Sequence, residues 1–116
     1  MTRDEIKALV LSLPGAEEGT SYGYPSFKLH GKFLTRIRSE DDSLVVYVDG
    51  IDERDMLLEV DPETFFITDH YRGYPMVLAR LDRIDPDWLR AKLVARWRKA
   101  TPKRMQKALE AEGRAP

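Results

Sequence analysis

An alternating apolar pattern on both sides of a glycine is the feature that most constrains how this chain can fold. Two short runs, 27–29 and 33–38, share one apolar face if they pair as antiparallel strands, and its members are Phe27, Leu29, Phe33, Thr35 and Ile37. A two-residue turn at His30 and Gly31 would place Lys32 on that apolar face. We therefore predict a three-residue loop, His30-Gly31-Lys32, and an antiparallel sheet built around this hairpin.

Helix start and stop signals lie on both sides of this β-rich middle. Thr2 and Glu5 have the spacing of a capping box, and the helix they begin ends at the next proline and glycine. Two more helices are predicted where proline follows a capping residue, at 85–86 and 101–102. The positions expected to face the core are Leu89, Leu93, Trp97 and Ala100 in the first of these helices, and Met105, Ala108 and Leu109 in the second.

The remaining segments complete the predicted order of elements. β-branched and aromatic residues predict strands at 44–48, 65–68 and 76–81, and acidic residues at its start predict a helix over 52–59. Residues 16–25 have two glycines and no sustained period, so we predict a loop there.

These elements predict an α+β fold in the order α-β-β-β-α-β-β-α-α. Strands joined by hairpins and a meander favour one five-stranded antiparallel sheet, and the amphipathic helices would cover one face of it as a second layer. A chain of 116 residues is long enough to bury one core without staples, so residues 1–116 are predicted to form a single domain.

Composition excludes several classes of function. The chain has no cysteine, which removes disulfides, zinc-thiolate sites, iron-sulfur sites and cysteine nucleophiles. Its apolar runs are too short to cross a bilayer, so we expect a cytoplasmic protein with no membrane partner. It contains no glycine-rich phosphate loop, nucleophile elbow or paired-histidine zinc motif. We expect a protein that is not an enzyme and that carries no cofactor and no metal.

Charge is distributed unevenly along the chain. Residues 1–89 carry 10 basic and 18 acidic side chains, whereas residues 90–116 carry 9 basic and 2 acidic ones. A basic segment of this kind could face a polyanion, an acidic protein partner or the acidic surface of its own domain.

Three segments, taken together and in order, resemble the MmcQ/YjbR family. They are P-S-F-x-x-x-G-K-F at Pro25–Phe33, H-Y-x-G-Y-P at His70–Pro75 and W-R-x-x-x-P-x-R at Trp97–Arg104. The resemblance spans nearly the whole chain. It implies a secretion-chaperone-like α+β fold, which agrees with the order of elements derived above, and it implies DNA binding through wing-like projections.

DNA is therefore the first candidate partner. The residues we expect to contact phosphate are Lys32, Arg98, Lys103, Arg104 and Lys107. Such contacts would be weak and mainly electrostatic, because the sequence pI of about 6.1 is low for a DNA-binding domain. Alternatively, the basic side chains are only the solvated outside of two helices.

The His70–Pro75 loop is the second candidate site, for a small anion or a protein partner. His70, Tyr71 and Tyr74 combine hydrogen-bonding and aromatic groups, and Arg98 could hold a carboxylate or phosphate beside them. His70 could equally be a plain loop residue, and Trp97 is expected in the core. The Gly-Tyr-Pro sequence of this loop also occurs at residues 23–25, where it could simply mark another strand start.

Overall fold

A computed structural model describes residues 1–116, which form an α+β fold with four helices and seven strands. The helices are Arg3–Leu11 (α1), Ile51–Val60 (α2), Pro86–Ala100 (α3) and Lys103–Ala111 (α4). The strands are Ala16–Ser21 (β1), Tyr24–Leu29 (β2), Lys32–Thr35 (β3), Ile37–Arg38 (β4), Ser43–Tyr47 (β5), Phe65–Phe66 (β6) and Met76–Arg80 (β7). A short 3-10 helix, Asp69–Tyr71, precedes β7.

The strands form two antiparallel sheets, so the prediction of one five-stranded sheet is wrong. One sheet has the order β1-β2-β3 and the other has the order β4-β5-β7-β6. The predicted strand over 33–38 is divided at Arg36, whose carbonyl oxygen accepts a hydrogen bond from the Val45 amide at 3.1 Å. Leu34, Thr35 and Arg36 are all buried in succession, which a strand with one solvent face cannot achieve. The chain passes from one sheet to the other at this point.

The segment predicted as a loop contains β1, which pairs with β2 from Ala16 opposite Leu29 to Ser21 opposite Tyr24. None of the β1 residues is fully buried. An edge strand of this kind is held by backbone hydrogen bonds, so it needs no apolar alternation in its own sequence.

The hairpin turn has two residues, which corrects the predicted three-residue loop. Leu29 lies opposite Lys32, and both His30 and Gly31 have positive φ, at 52° and 81°, as a type I′ turn requires. The register then shifts next to Phe27, which brings that residue opposite Thr35. This irregularity restores the apolar face and leaves Lys32 exposed at the turn.

The helix starts follow the sequence signals, with one exception. The Thr2 hydroxyl and the Glu5 carboxylate make both bonds of the capping box, at 3.1 and 2.8 Å, and the Asp85 carboxylate caps α3. Thr101 does not cap α4, because its hydroxyl pairs with His30 Nε2 at 3.0 Å instead. Met105 and Ala108, both predicted to face the core, are exposed, whereas Leu109 is buried as predicted.

All four helices pack on one large core together with one face of the second sheet. That face carries Leu44 and Val46 from β5 and Val77 and Ala79 from β7. The opposite face carries Val45, Met76 and Leu78, which belong to a second, smaller cluster containing Tyr71. No helix of the structure is both long and apolar enough to span a membrane.

Candidate functional site

A cavity of about 390 Å³ opens on the face of the second sheet that is opposite the large core. We call it the tyrosine–arginine cavity. It is lined by Ser21, Tyr22, Tyr24, Phe33, Arg36, Arg38, Glu40, Tyr47, His70, Tyr71, Tyr74 and Met76. Its volume falls in the lower part of the range typical of small-molecule sites, about 300 to 1,000 Å³.

One wall of the cavity is the His70–Pro75 loop, which the buried guanidinium of Arg54 holds in place from α2. Its Nη1 atom donates to the carbonyl oxygens of Arg72 at 2.7 Å and Tyr74 at 3.1 Å, and it approaches that of Tyr71 at 3.4 Å. A charged donor shared by several loop carbonyls gives an otherwise irregular segment one conformation.

The side chains of this loop form a stepped aromatic surface. The His70 ring meets Tyr71 edge-on at 4.8 Å and stacks on Tyr74 at 6.3 Å between centroids. Tyr71 is buried, whereas half of Tyr74 is exposed. His70 makes no hydrogen bond within the chain, so both ring nitrogens remain available to a ligand.

The opposite wall carries Arg36 and Arg38, which lie at the junction of the two sheets. Arg36 donates to both oxygens of the Glu40 carboxylate, at 3.1 and 2.8 Å, and Arg38 donates to both oxygens of Asp41. The Arg36 guanidinium lowers the pKa of Glu40 to about 2. In return, the hydrogen bonds that Arg36 donates to the Glu40 carboxylate raise the pKa of Arg36.

The mouth of the cavity is formed by the β1–β2 turn. Tyr22 is 94% exposed and has a positive φ of 50°, which is uncommon for a bulky residue. Tyr24 follows it and carries the Arg36 guanidinium 4.6 Å from its ring centroid. Tyr24 and Tyr74 are the tyrosines of the two Gly-Tyr-Pro segments, and both line this one cavity.

The structure therefore brings His70, Tyr71 and Tyr74 together but does not bring Arg98 to them. Arg98 donates to the carbonyl oxygen of Pro116 at 3.0 Å and lies 4.0 Å from Glu110. The preceding residue, Trp97, is fully buried. Successive side chains of a helix point about 100° apart, so α3 points Trp97 into the core and Arg98 toward solvent.

The basic residues proposed for DNA lie in a different region. Lys103, Arg104 and Lys107 are exposed on α4, and no acidic group lies within ion-pair distance of them. The hydrogen bond between His30 and Thr101 docks the hairpin turn on the α3–α4 junction, which brings Lys32 to the same end of the molecule. Other basic residues of the segment are used internally, as in the Lys92–Glu53 pair at 2.7 Å.

The YjbR family model matches residues 11–99. The chain belongs to the YjbR family. Comparison with curated proteins and comparison with solved structures found no match. The matched range of this YjbR-family chain contains every residue that lines the tyrosine–arginine cavity, whereas α4 lies beyond it.

Most residues of the tyrosine–arginine cavity carry no signal in the sequence that marks them as part of a site. Arg36 and Arg38 alternate with apolar residues in a predicted strand, where charged side chains normally mark the solvent face. Arg54 sits among other charged residues near the start of a helix and gives no sign that it is buried. A repeated Gly-Tyr-Pro was the one local signal, since both copies contribute a tyrosine to the site.

Proposed function

We propose that this YjbR-family chain is a non-enzymatic binding protein whose ligand is a small anion held in the tyrosine–arginine cavity. The observation that carries the proposal is that His70, Tyr71 and Tyr74 line one cavity with two arginines, Arg36 and Arg38.

The two arginines supply the anion selectivity. A guanidinium has five N–H donors, and the hydrogen bonds to Glu40 and Asp41 use only some of them on each side chain. The remaining donors of Arg36 and Arg38 are mostly shielded from solvent, where a charge-assisted hydrogen bond is stronger than at the surface.

The surroundings of His70 favour binding over catalysis. A general base is usually oriented by a second group, yet His70 has no carboxylate or carbonyl partner in the chain. Its neighbour Asp69 pairs instead with Arg72 at 2.6 Å. The ring stacks on Tyr74 and meets Tyr71 edge-on, and this aromatic surface suits contact with a flat ligand.

Thermal unfolding in the presence of phosphate, acetate, benzoate and phenyl phosphate tests this function. At least one anion should raise the melting temperature of the chain, because a ligand at about 100 times its Kd adds about 2.7 kcal/mol of stability. His70→Ala and Tyr74→Leu should lose that stabilisation while remaining folded. Arg90→Ala, an exposed basic residue outside the cavity, is the control and should keep it. Absence of stabilisation by all four anions would refute the proposal.

We keep weak DNA binding as a second candidate because the docked hairpin and α4 collect unpaired cations at one end of the molecule. Lys32, Lys103, Arg104 and Lys107 would neutralise phosphates without reading the sequence, and Arg98 would add to them only after releasing Pro116.

Fluorescence anisotropy with single- and double-stranded DNA tests this second function. Affinity should fall steeply as salt rises, and Arg104→Ala should reduce the slope of log K against log salt by about one. Arg83→Ala serves as the control, since Arg83 is already paired with Glu63 at 2.9 Å. Undetectable binding at low salt would eliminate the DNA candidate.

A further inference from the structure

In the tyrosine–arginine cavity, the Glu40 carboxylate lies beside both arginines. Its two oxygens accept hydrogen bonds from Arg36, and one of them lies 3.7 Å from Nη1 of Arg38. A single carboxylate of the protein therefore faces both guanidiniums.

Glu40 is the member of this group that can leave. Both arginine side chains are only 11% exposed, whereas that of Glu40 is 40% exposed. Arg38 is additionally held by both oxygens of Asp41, and Arg36 packs on the Tyr24 ring. Glu40 belongs to the turn between β4 and β5, so it can rotate into solvent without disturbing a sheet hydrogen bond.

We propose that Glu40 is a built-in occupant of the anion position and that the ligand is an aromatic ring bearing a phosphate or carboxylate. This inference rests on the proposed function. The anionic group displaces Glu40 from Arg36 and Arg38, and the ring packs on the exposed tyrosines at the mouth, Tyr22 and Tyr74.

The aromatic cavity is unsuited to a cationic ligand because the protein's own cations already cover several rings. Arg36 lies over Tyr24, Arg38 lies 5.6 Å from the centroid of Tyr71, and Arg96 lies 3.7 Å from that of Tyr47. A quaternary ammonium group binds over the faces of aromatic rings, and here the guanidiniums already occupy those faces and would repel it. An anion is attracted by the same charges.

The exposed tyrosines explain why the anion should carry a ring. Tyr22 and Tyr74 offer flat apolar surface to solvent, and offset stacking of a ligand ring on them adds attraction beyond the area it buries. The cavity volume of about 390 Å³ suits one such compact molecule.

Isothermal titration calorimetry with phenyl phosphate, inorganic phosphate and phenol separates the contributions of ring and anion. Phenyl phosphate should bind more tightly than either inorganic phosphate or phenol. Glu40→Gln should tighten phenyl phosphate binding by about tenfold, because the competing charge is removed while the hydrogen-bonding shape is kept. Phenol binding should not change, and the control Glu63→Gln, at an exposed pair outside the cavity, should have no effect.

A measurement on the unmodified chain covers the case in which Glu40→Gln does not fold. Phenyl phosphate should shift the carboxyl carbon resonance of Glu40 toward the value of a solvated carboxylate. An unmoved resonance at saturating ligand would overturn the displacement.

Other outcomes separate this inference from the proposed function. If Glu40→Gln leaves phenyl phosphate binding unchanged or weaker, the inference fails while anion binding by the cavity stands. Inorganic phosphate binding as tightly as phenyl phosphate would overturn the requirement for a ring. Tighter binding of benzyltrimethylammonium would overturn the charge assignment, and failure of every anion would remove both proposals.

Further titrations distinguish two possible sources of an aromatic ring that carries a phosphate. Adenosine monophosphate presents the ring and phosphate of a nucleotide, and N-acetyl phosphotyrosine amide presents those of a modified protein side chain. Tighter binding of either compound than of inorganic phosphate supports the ring-and-anion class, and the tighter of the two identifies the source.

Discussion

Replacing Arg54 by methionine should release the loop that forms one wall of the cavity. The substitution keeps an unbranched apolar stem of similar reach but removes every hydrogen-bond donor. In the folded chain, Arg54 Nη1 donates to the carbonyl oxygens of Arg72 and Tyr74 at 2.7 and 3.1 Å, and a weaker contact reaches Tyr71. The substitution therefore removes the hydrogen bonds that these loop carbonyls accept from Arg54.

The expected loss of stability is about 3 kcal/mol. Each hydrogen bond to a charged group contributes about 1.5 to 3 kcal/mol, and Arg54 makes two strong ones. The net loss lies at the lower end of their sum, because water that enters the released loop can hydrogen-bond to the freed carbonyl oxygens. The ion pair of Arg54 with Asp55 adds little, because the Asp55 side chain is mostly exposed. For 116 residues the unfolding entropy is about 0.24 kcal/mol/K, so the melting temperature should fall by about 12 °C.

Urea unfolding followed by circular dichroism measures the free energy of unfolding directly. Arg54→Lys should recover less than half of the loss, because a single ammonium cannot reproduce the planar fork. Arg83→Ala is the matched control at an exposed ion pair and should change stability by less than about 0.5 kcal/mol. If Arg54→Met costs less than about 1 kcal/mol, or still binds the anion of the cavity with unchanged affinity, the assigned role of Arg54 is wrong.

Two further predictions concern the hairpin and Glu40. Gly15→Ala should destabilise the chain by about 2 kcal/mol in urea unfolding, since Gly15 has a φ of 87° and its new Cβ would lie 2.5 Å from Cε1 of His30. The control Gly23→Ala has a similar φ but open space around it, so it should cost only about 1 kcal/mol. Equal losses of stability in the two variants would contradict the steric argument. The ion pair of Glu40 should add about 1 kcal/mol after discounting for its exposure. Because the folded pKa of about 2 lies below the unfolded value, this stability is full above about pH 4.5 and is lost as the pH falls toward 2. The stability difference between wild type and Glu40→Gln should therefore disappear near pH 2, and a constant difference across that range would argue against the assignment.

Local signals in the sequence were sufficient for most helices and for the central strands. The capping box at Thr2 and the capped proline after Asp85 act within one helical turn, so neighbouring residues alone decide them. The run 44–48 has the β-branched and aromatic composition of a strand, and it forms β5. In each case the interacting groups lie a few residues apart.

The division into two sheets needed long-range contacts. β1 has a polar sequence and becomes a strand only because β2 offers backbone partners. The break at Arg36 depends on β5, which takes the end of the predicted strand into the second sheet. The two-residue hairpin became possible through an irregularity beside Phe27, which removes the conflict that favoured a longer loop.

By itself the sequence determined that 70–75 is a loop dense in aromatic and hydrogen-bonding groups, and that α3 and α4 are basic. Only the tertiary structure decided that Arg36 and Arg38 face this loop while Arg98 does not. Strand pairing between β5 and β7 puts Tyr47 and Met76 on the sheet face opposite the large core, and the loop held by Arg54 closes over that face. Side chains far apart in the sequence meet there because sheet register and burial, not local spacing, set their positions.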